Sequence, residues 1–266
     1  MQDRFGRRID YLRVSVTDRC NLRCRYCMPE AGVPLIDHAD VLRYEEVAEF
    51  VRTAVGMGIR KVRLTGGEPL VRKGLIALVE MLAAIDGIED LCMTTNGTLL
   101  AAFARELREA GLGRVNVSLD AIDPERFAWI TRGGRIADVL AGIDAARAAG
   151  LTPIKLNCVV ERSRDEPDAR DVAAYAERNG LSVRFIRRMD LAAGTFHPVE
   201  GGDGGRCHRC SRLRLSCDGW LRPCLFSDRQ VNIRHVGSAE AIREAVDDKP
   251  PAGTRSLGRP MNCVGG

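Results

Sequence analysis

Apolar and polar positions over residues 12–187 fall into two alternating rhythms. Leu12-Arg-Val-Ser-Val16 changes character at every residue, the period of a strand with one covered face. Val47, Phe50, Val51, Ala54 and Val55 return every three or four residues instead, which predicts a helix over 43–57 closed by Gly58. The pair then repeats. Strand-like runs stand at 61–65, 90–95, 114–119, 153–160 and 182–187, separated by helical stretches near 73–85, 98–110, 135–149 and 165–179. Several of these helices run into a glycine, at Gly111, Gly150 and Gly180. Strand and helix alternating at this spacing predict an α/β fold of βαβ units around a parallel sheet. Six strands are too few for a closed eight-stranded barrel, so the pattern fits an open, partial one.

Beyond this region the rhythm changes. Residues 190–206 contain Gly194, Gly201, Gly202, Gly204 and Gly205 and read as a flexible linker. Runs at 213–216 and 220–225 flank Cys217-Asp-Gly219, a hairpin signal, and a helix is expected at 238–247. The chain therefore divides into a barrel at 1–190, a linker at 191–206 and a C-terminal part at 207–266. Residues 1–11 are polar and basic and are expected across the outside of the fold.

Composition narrows the function classes. A chain of 266 residues with 45% apolar content can bury a sizeable core. A net charge of +4 is too small to suggest general nucleic-acid binding. The first residues lack an apolar signal core, and no apolar run is long enough to cross a bilayer. A cytoplasmic location is expected, where ten cysteines suit metal ligation better than disulfides. Four lysines, Lys61, Lys73, Lys155 and Lys249, stand among 40 basic residues, and the arginine that dominates suits bidentate phosphate capture as well as a GC-rich genome.

Two cysteine triplets carry the candidate chemistry. Cys20-x3-Cys24-x2-Cys27 follows the first strand, and its three thiolates can hold three corners of a cubane iron–sulfur cluster. Full protein ligation takes four cysteines, so one iron stays open to a small molecule. Zinc would want a fourth ligand, and His38 lies outside the loop. The second triplet is Cys207-x2-Cys210-x13-Cys224, a knuckle with its third member across the hairpin. Zinc with His208 or Cys217 competes there with a cluster. Sheets of this kind bind ligands at the carboxyl ends of their strands, where Cys20, Gly66–Pro69, Thr94–Gly97, Ser118–Asp120 and Met189 fall. Arg13, Arg63, Arg212 and Arg214 should converge on that cavity, and Arg212 and Arg214 share one face of an extended segment. Converging guanidiniums call for an anion.

The first triplet with Tyr26 inside it, and Gly66-Gly67-Glu68-Pro69 downstream, resemble the radical S-adenosylmethionine (SAM) superfamily. The second triplet, Arg212 and Arg214 after it, and the terminal Val264-Gly265-Gly266 resemble the GTP 3′,8-cyclase family, which opens molybdenum-cofactor biosynthesis. The resemblance implies a partial (β/α)6 barrel with a small hairpin-plus-helix extension carrying a second iron–sulfur site. It implies two [4Fe-4S] clusters, on Cys20, Cys24 and Cys27 and on Cys207, Cys210 and Cys224. It implies SAM on Tyr26, Gly66, Gly67, Glu68, Ser118 and Met189, and GTP on Arg13, Arg63, Thr94, Lys155, Arg212 and Arg214. Lys61, Arg184 and the tail glycines Gly265 and Gly266 join the GTP contacts more loosely. It also implies an electron donor and a downstream cyclic pyranopterin monophosphate synthase, with neither nucleic acid nor membrane as partner, and leaves a homodimer open. Cys263 has no assigned role.

Two departures from that family stand out. The family has several dozen more residues between its last barrel strand and its second cluster, where this chain has only 190–206. It also has glutamate where Arg187 stands. Rival readings are a radical SAM enzyme for another small molecule or a peptide, and a non-catalytic iron–sulfur redox module.

Overall fold

The computed structural model describes residues 1–257. Its strands are β1 (Tyr11–Ser15), β2 (Lys61–Thr65), β3 (Asp90–Thr95), β4 (Arg114–Ser118), β5 (Lys155–Val160), β6 (Ser182–Arg187), β7 (Arg212–Leu215), β8 (Trp220–Arg222) and β9 (Val231–Asn232). The helices are α1 (Tyr44–Gly56), α2 (Leu75–Ala83), α3 (Leu100–Glu109), α4 (Pro124–Thr131), α5 (Ile136–Ala148), α6 (Pro167–Arg178), α7 (Ile233–Val236) and α8 (Ser238–Asp247).

The strands form a single sheet in the order β6-β5-β4-β3-β2-β1-β7-β8-β9. From β1 to β6 each strand pairs in parallel with its neighbour in sequence. Spatial order follows chain order without reversal, so right-handed crossovers lay the connecting helices on one face. That is the wall of an open barrel, with no switch point of the doubly wound kind.

The alternation along each strand now has its cause. Leu12, Val14, Val62, Leu64, Met93, Val115 and Val117 are buried on the outer face, in one core with Phe50, Leu78, Leu107 and Ile143 from the helices. Each such side chain contributes roughly 1.5–3 kcal/mol by leaving water. The residues between them, such as Arg13, Arg63, Asn116 and Asn157, face the barrel interior. Central parallel strands usually read as continuous apolar runs because both faces are covered; here one face lines a polar cavity.

Most predicted elements lie within two residues of the observed ones. The helix α4 was not predicted. Its N-cap, Asp123, accepts from the Arg126 amide at 2.8 Å and Pro124 opens the helix, but its length gives periodicity little to show. Residues 1–11 depart in part from the outer position expected: Gln2, Arg4, Phe5, Gly6 and Arg8 are exposed, but Asp3, Arg7 and Ile9 are tied into the interior. Ile9 is fully buried, and the buried Asp3–Arg7 pair closes at 2.6 Å. Arg7 spends its other donors on the carbonyls of Cys207, Pro250 and Pro251.

The C-terminal strands continue the sheet, since β7 pairs in parallel with β1 and the β8–β9 pair follows antiparallel. Residues 190–206 are also tied down: Phe185 pairs with Glu200 and Asp190 with Thr195, and the Ser256 amide donates to the Leu191 carbonyl at 2.8 Å. The tail glycines Gly265 and Gly266, and Cys263, lie outside the described residues.

Candidate active site: two adjoining cavities

The carboxyl ends of β1–β6 open on a cavity of about 200 Å³. Cys20, Cys24 and Cys27 line it from the loop after β1, with Tyr26, Gly66, Gly67, Ser118 and Met189. Thr94, expected on GTP, lines this cavity as well. A second cavity of about 530 Å³ lies toward the amino ends of the strands, where Tyr11, Lys61, Asp90 and Lys155 line it, and Asn157, Ile186 and Met189 line both. Arg13, Lys61, Arg63, Lys155, Arg184, Arg212 and Arg214 line the second, as do Cys207, Cys210 and Cys224.

The first loop is held from three sides. Its amides at Arg23 and Arg25 donate to the carbonyls of Thr131 and Ile130 at the end of α4, at 3.2 and 3.0 Å. Arg132 follows α4 with left-handed backbone, φ 55°, and its Nη1 reaches the carbonyls of Arg23 and Met28, at 2.7 and 3.0 Å. The Tyr26 hydroxyl donates to Asp120 Oδ2 at 2.7 Å, while Asp120 Oδ1 accepts from the Val159 amide at 2.8 Å. Burial raises the Asp120 carboxyl to about 6 against the pull of these two bonds. Sequence reading missed Arg132 and gave Asp120 no role. A strand-end Asp is a fair signal, but an arginine that works through carbonyls leaves none.

Gly66 and Gly67 let the chain approach itself as well as a ligand. A Cβ on Gly67 would run into the Arg19 carbonyl. The Gly67 amide instead donates to the Thr17 carbonyl, and the Glu68 amide to that of Arg19, both at 2.8 Å. This crossing fixes where the cysteine loop begins. Glu68 was expected to face the SAM ammonium, yet it is 0% exposed. Its carboxylate accepts from Leu70 N, Thr95 Oγ1 and Asn96 N at 3.1, 2.7 and 2.6 Å, so it braces the end of β2 to that of β3. Burial lifts its carboxyl to about 7 even so.

The thiols fit a cluster. Burial first, then the charges of Asp120, Cys27 and Cys20, push the Cys24 thiol up to about 12. Three such groups become thiolates together only with cationic iron among them. Among the described residues no three His, Cys, Asp or Glu side chains surround a single ion position. A cubane distributes its ligands over separate irons and makes no such demand.

Register explains the second cavity. Arg13 sits opposite Arg63 on β2 and opposite Arg214 on β7, so three arginines stand side by side on neighbouring strands, which are spaced about 4.8 Å apart. Like charges directly opposite repel. Burial, then Arg212, lowers the Arg214 guanidinium to about 10, and burial with Arg214, Arg63 and Arg212 lowers Arg13. The buried Nε of Arg63 and of Arg184 lack hydrogen-bond partners among the described residues. Arg114, absent from the predicted set, also lines the cavity, but Asp90 neutralises it with bonds of 2.9 and 2.5 Å. The glycine-rich stretch supplies the remaining wall through His197, Gly204 and Phe196, whose ring lies 4.5 Å from that of Phe226. Arg187 borders the first cavity, its Nη1 3.4 Å from His197 Nδ1.

Residues 14–176 match the radical SAM superfamily. The chain is 46% identical to the GTP 3′,8-cyclase of Moorella thermoacetica, over 88% of this chain and 86% of that protein. It is 42% identical to the GTP 3′,8-cyclase of Thermodesulfovibrio yellowstonii over the full length of both. The chain belongs to the GTP 3′,8-cyclase family of radical SAM proteins. Radical SAM proteins use SAM with a [4Fe-4S] cluster, and this family adds a second cluster. The second of those alignments runs to 323 positions against 266 residues here, in keeping with a segment absent from this chain. Among solved structures, anSMEcpe with bound AdoMet matches at TM-score 0.64 and 16% identity, over 90% of this chain and 81% of that one. Streptococcus suis SuiB matches at 0.62 and 13%, over 91% and 66%. At such identities the likeness extends to the fold.

Proposed function

We propose that this protein cyclises GTP, joining ribose C3′ to guanine C8 to give 3′,8-cyclo-7,8-dihydro-GTP, the first step of molybdenum-cofactor biosynthesis. The observation that carries this reading is the row Arg63–Arg13–Arg214 beside a cysteine-lined cavity. A cationic floor with few carboxylates suits a triphosphate, and the shared wall at Asn157, Ile186 and Met189 lets a nucleotide lie next to SAM.

When bound, a [4Fe-4S] cluster with SAM on its open iron supplies a 5′-deoxyadenosyl radical on one-electron reduction. Cys20, Cys24 and Cys27 would hold the first cluster, and Cys207, Cys210 and Cys224 the second. Gly66, Gly67 and Ser118 line the space for the methionine part of SAM, with Tyr26 and Met189 beside it. Arg13, Arg63, Lys155, Arg184, Arg212 and Arg214 neutralise and orient the phosphates, with Lys61 at the rim. Over the reaction one hydrogen atom leaves GTP and one electron and one proton return, so the product has the mass of GTP. A one-electron donor and a downstream cyclic pyranopterin monophosphate synthase are the partners this chemistry asks for, in the cytoplasm. No helix among the described residues is long and apolar enough to cross a membrane.

Reconstituted protein, supplied anaerobically with SAM, dithionite and GTP, should form 5′-deoxyadenosine and an isomer of GTP separable by chromatography. Deoxyadenosine with unchanged GTP would leave the radical chemistry and remove the substrate assignment.

A further inference from the structure

Lys249 follows α8 and is 1% exposed, among the largest fully buried side chains of the protein. Its Nζ donates to the Arg212 carbonyl at 2.7 Å and to the Pro223 carbonyl at 2.6 Å. Arg212 lies two residues beyond Cys210, and Pro223 immediately precedes Cys224. The ammonium thus ties together the two arms that present these cysteines. Arg7 grips the third arm through the Cys207 carbonyl, but its charge is met by Asp3. Lys249 has no carboxylate partner among the described residues. Carbonyl oxygens satisfy its hydrogens without cancelling its charge, and a buried ion left without an opposite charge is destabilising.

The nearest groups able to cancel it are sulfurs. Cys210 is a hydrogen-bond partner of Lys249, and Cys224 interacts with it electrostatically. Neutral thiols would leave the ammonium uncompensated. Three thiolates on an iron–sulfur cluster form an anion and would complete the pair.

We propose that Lys249 is the built-in counter-ion of the cluster held by Cys207, Cys210 and Cys224, and that its charge retains the cluster and raises its reduction potential. Reduction adds negative charge to the cluster, and a buried cation beside it favours the reduced form. Lys249 is a positioning residue, since it acts through cysteines and carbonyls. The inference rests on the reading of the second triplet as a cluster site.

The test uses the full chain with Cys20, Cys24 and Cys27 all changed to Ala, reconstituted anaerobically with iron and sulfide, so that the signal comes from the second triplet. Lys249→Gln keeps an N–H donor but carries no charge; Lys249→Arg keeps the charge. Iron and sulfide per chain and the midpoint potential from a paramagnetic-resonance titration are measured, with thermal melts confirming folding. Lys249→Gln should shift the midpoint to more negative potential or lose at least half of the iron, while Lys249→Arg stays close to the parent. Unchanged iron and midpoint in Lys249→Gln would overturn the inference. Equal iron loss in both variants would overturn it too, by pointing to packing rather than charge. A parent that takes zinc, or no metal, would overturn the reading of the site itself, an outcome visible before either variant is made.

Discussion

At the scale of single residues the site trades stability for binding. Arg63 is 5% exposed, opposite Arg13 in register, with a buried Nε that has no hydrogen-bond partner among the described residues. Replacing a buried charge by an apolar side chain of similar volume is often neutral or stabilising, whereas losing a charge-assisted bond to phosphate costs about 1.5–3 kcal/mol, roughly 10- to 100-fold in affinity. Arg63→Leu should therefore melt at an equal or higher temperature without ligand and bind GTP at least tenfold more weakly, with cleavage of SAM preserved. A lower melting temperature with unchanged GTP affinity would show that Arg63 serves the fold. Much of this residue set was legible in the sequence, because the cysteines and glycines carry fixed spacings and the arginines alternate with apolar residues. The bracing role of Glu68 was not legible, because its partners are two amides and a hydroxyl, which no spacing reveals. Lys249 was invisible for the same reason.

At the scale of elements, the helix that sequence reading missed holds the cluster loop. The end of α4 and Arg132 accept from and donate to loop groups on both sides of Cys24. Arg132→Gly keeps the left-handed backbone and removes both side-chain bonds. It should release iron from the first cluster to a chelator several-fold faster than the parent, and an unchanged rate would mean that the backbone bonds suffice. A second tie joins α1 to α7, where Glu46 accepts from Arg234 at 2.8 and 3.1 Å. The Arg234 bonds, with the Arg43 amide, lower the Glu46 carboxyl from 4.5 to about 2 despite partial burial. A depressed carboxyl stabilises the fold fully above its unfolded value and loses that contribution as pH falls through its folded value. Stability of the cluster-free protein should thus fall between about pH 4.5 and pH 2, and Glu46→Gln should flatten that part of the profile in denaturant titrations. The strands β1–β6 were legible because one face of each is apolar and the other polar. The stretch 190–206 was not, because glycine content signals freedom while its order comes from distant partners: Phe185, Phe226 and Ser256.

At the scale of the whole molecule, the first residues and the segment after α8 meet at the second triplet. Asp3 and Arg7 reach it from the start, Lys249 and Pro250 from beyond α8, and β7 carries it against β1 at the middle of the sheet. The C-terminal part thereby shares a sheet with the barrel while bringing its own cysteines. The shorter segment after β6 still walls the cavity, through Phe196, His197 and Gly204. Arg187 borders the first cavity, its Nη1 3.4 Å from His197 Nδ1, and His197 lines the second. Under the proposed function GTP would lie in the arginine-floored cavity with its ribose C3′ turned toward the SAM cavity. GTP carrying deuterium only at C3′ tests it most directly. Under anaerobic turnover with SAM and reductant, the account predicts deuterium in the 5′-deoxyadenosine and its loss from the cyclised product. Deoxyadenosine free of deuterium, with label intact in the recovered GTP, would contradict it.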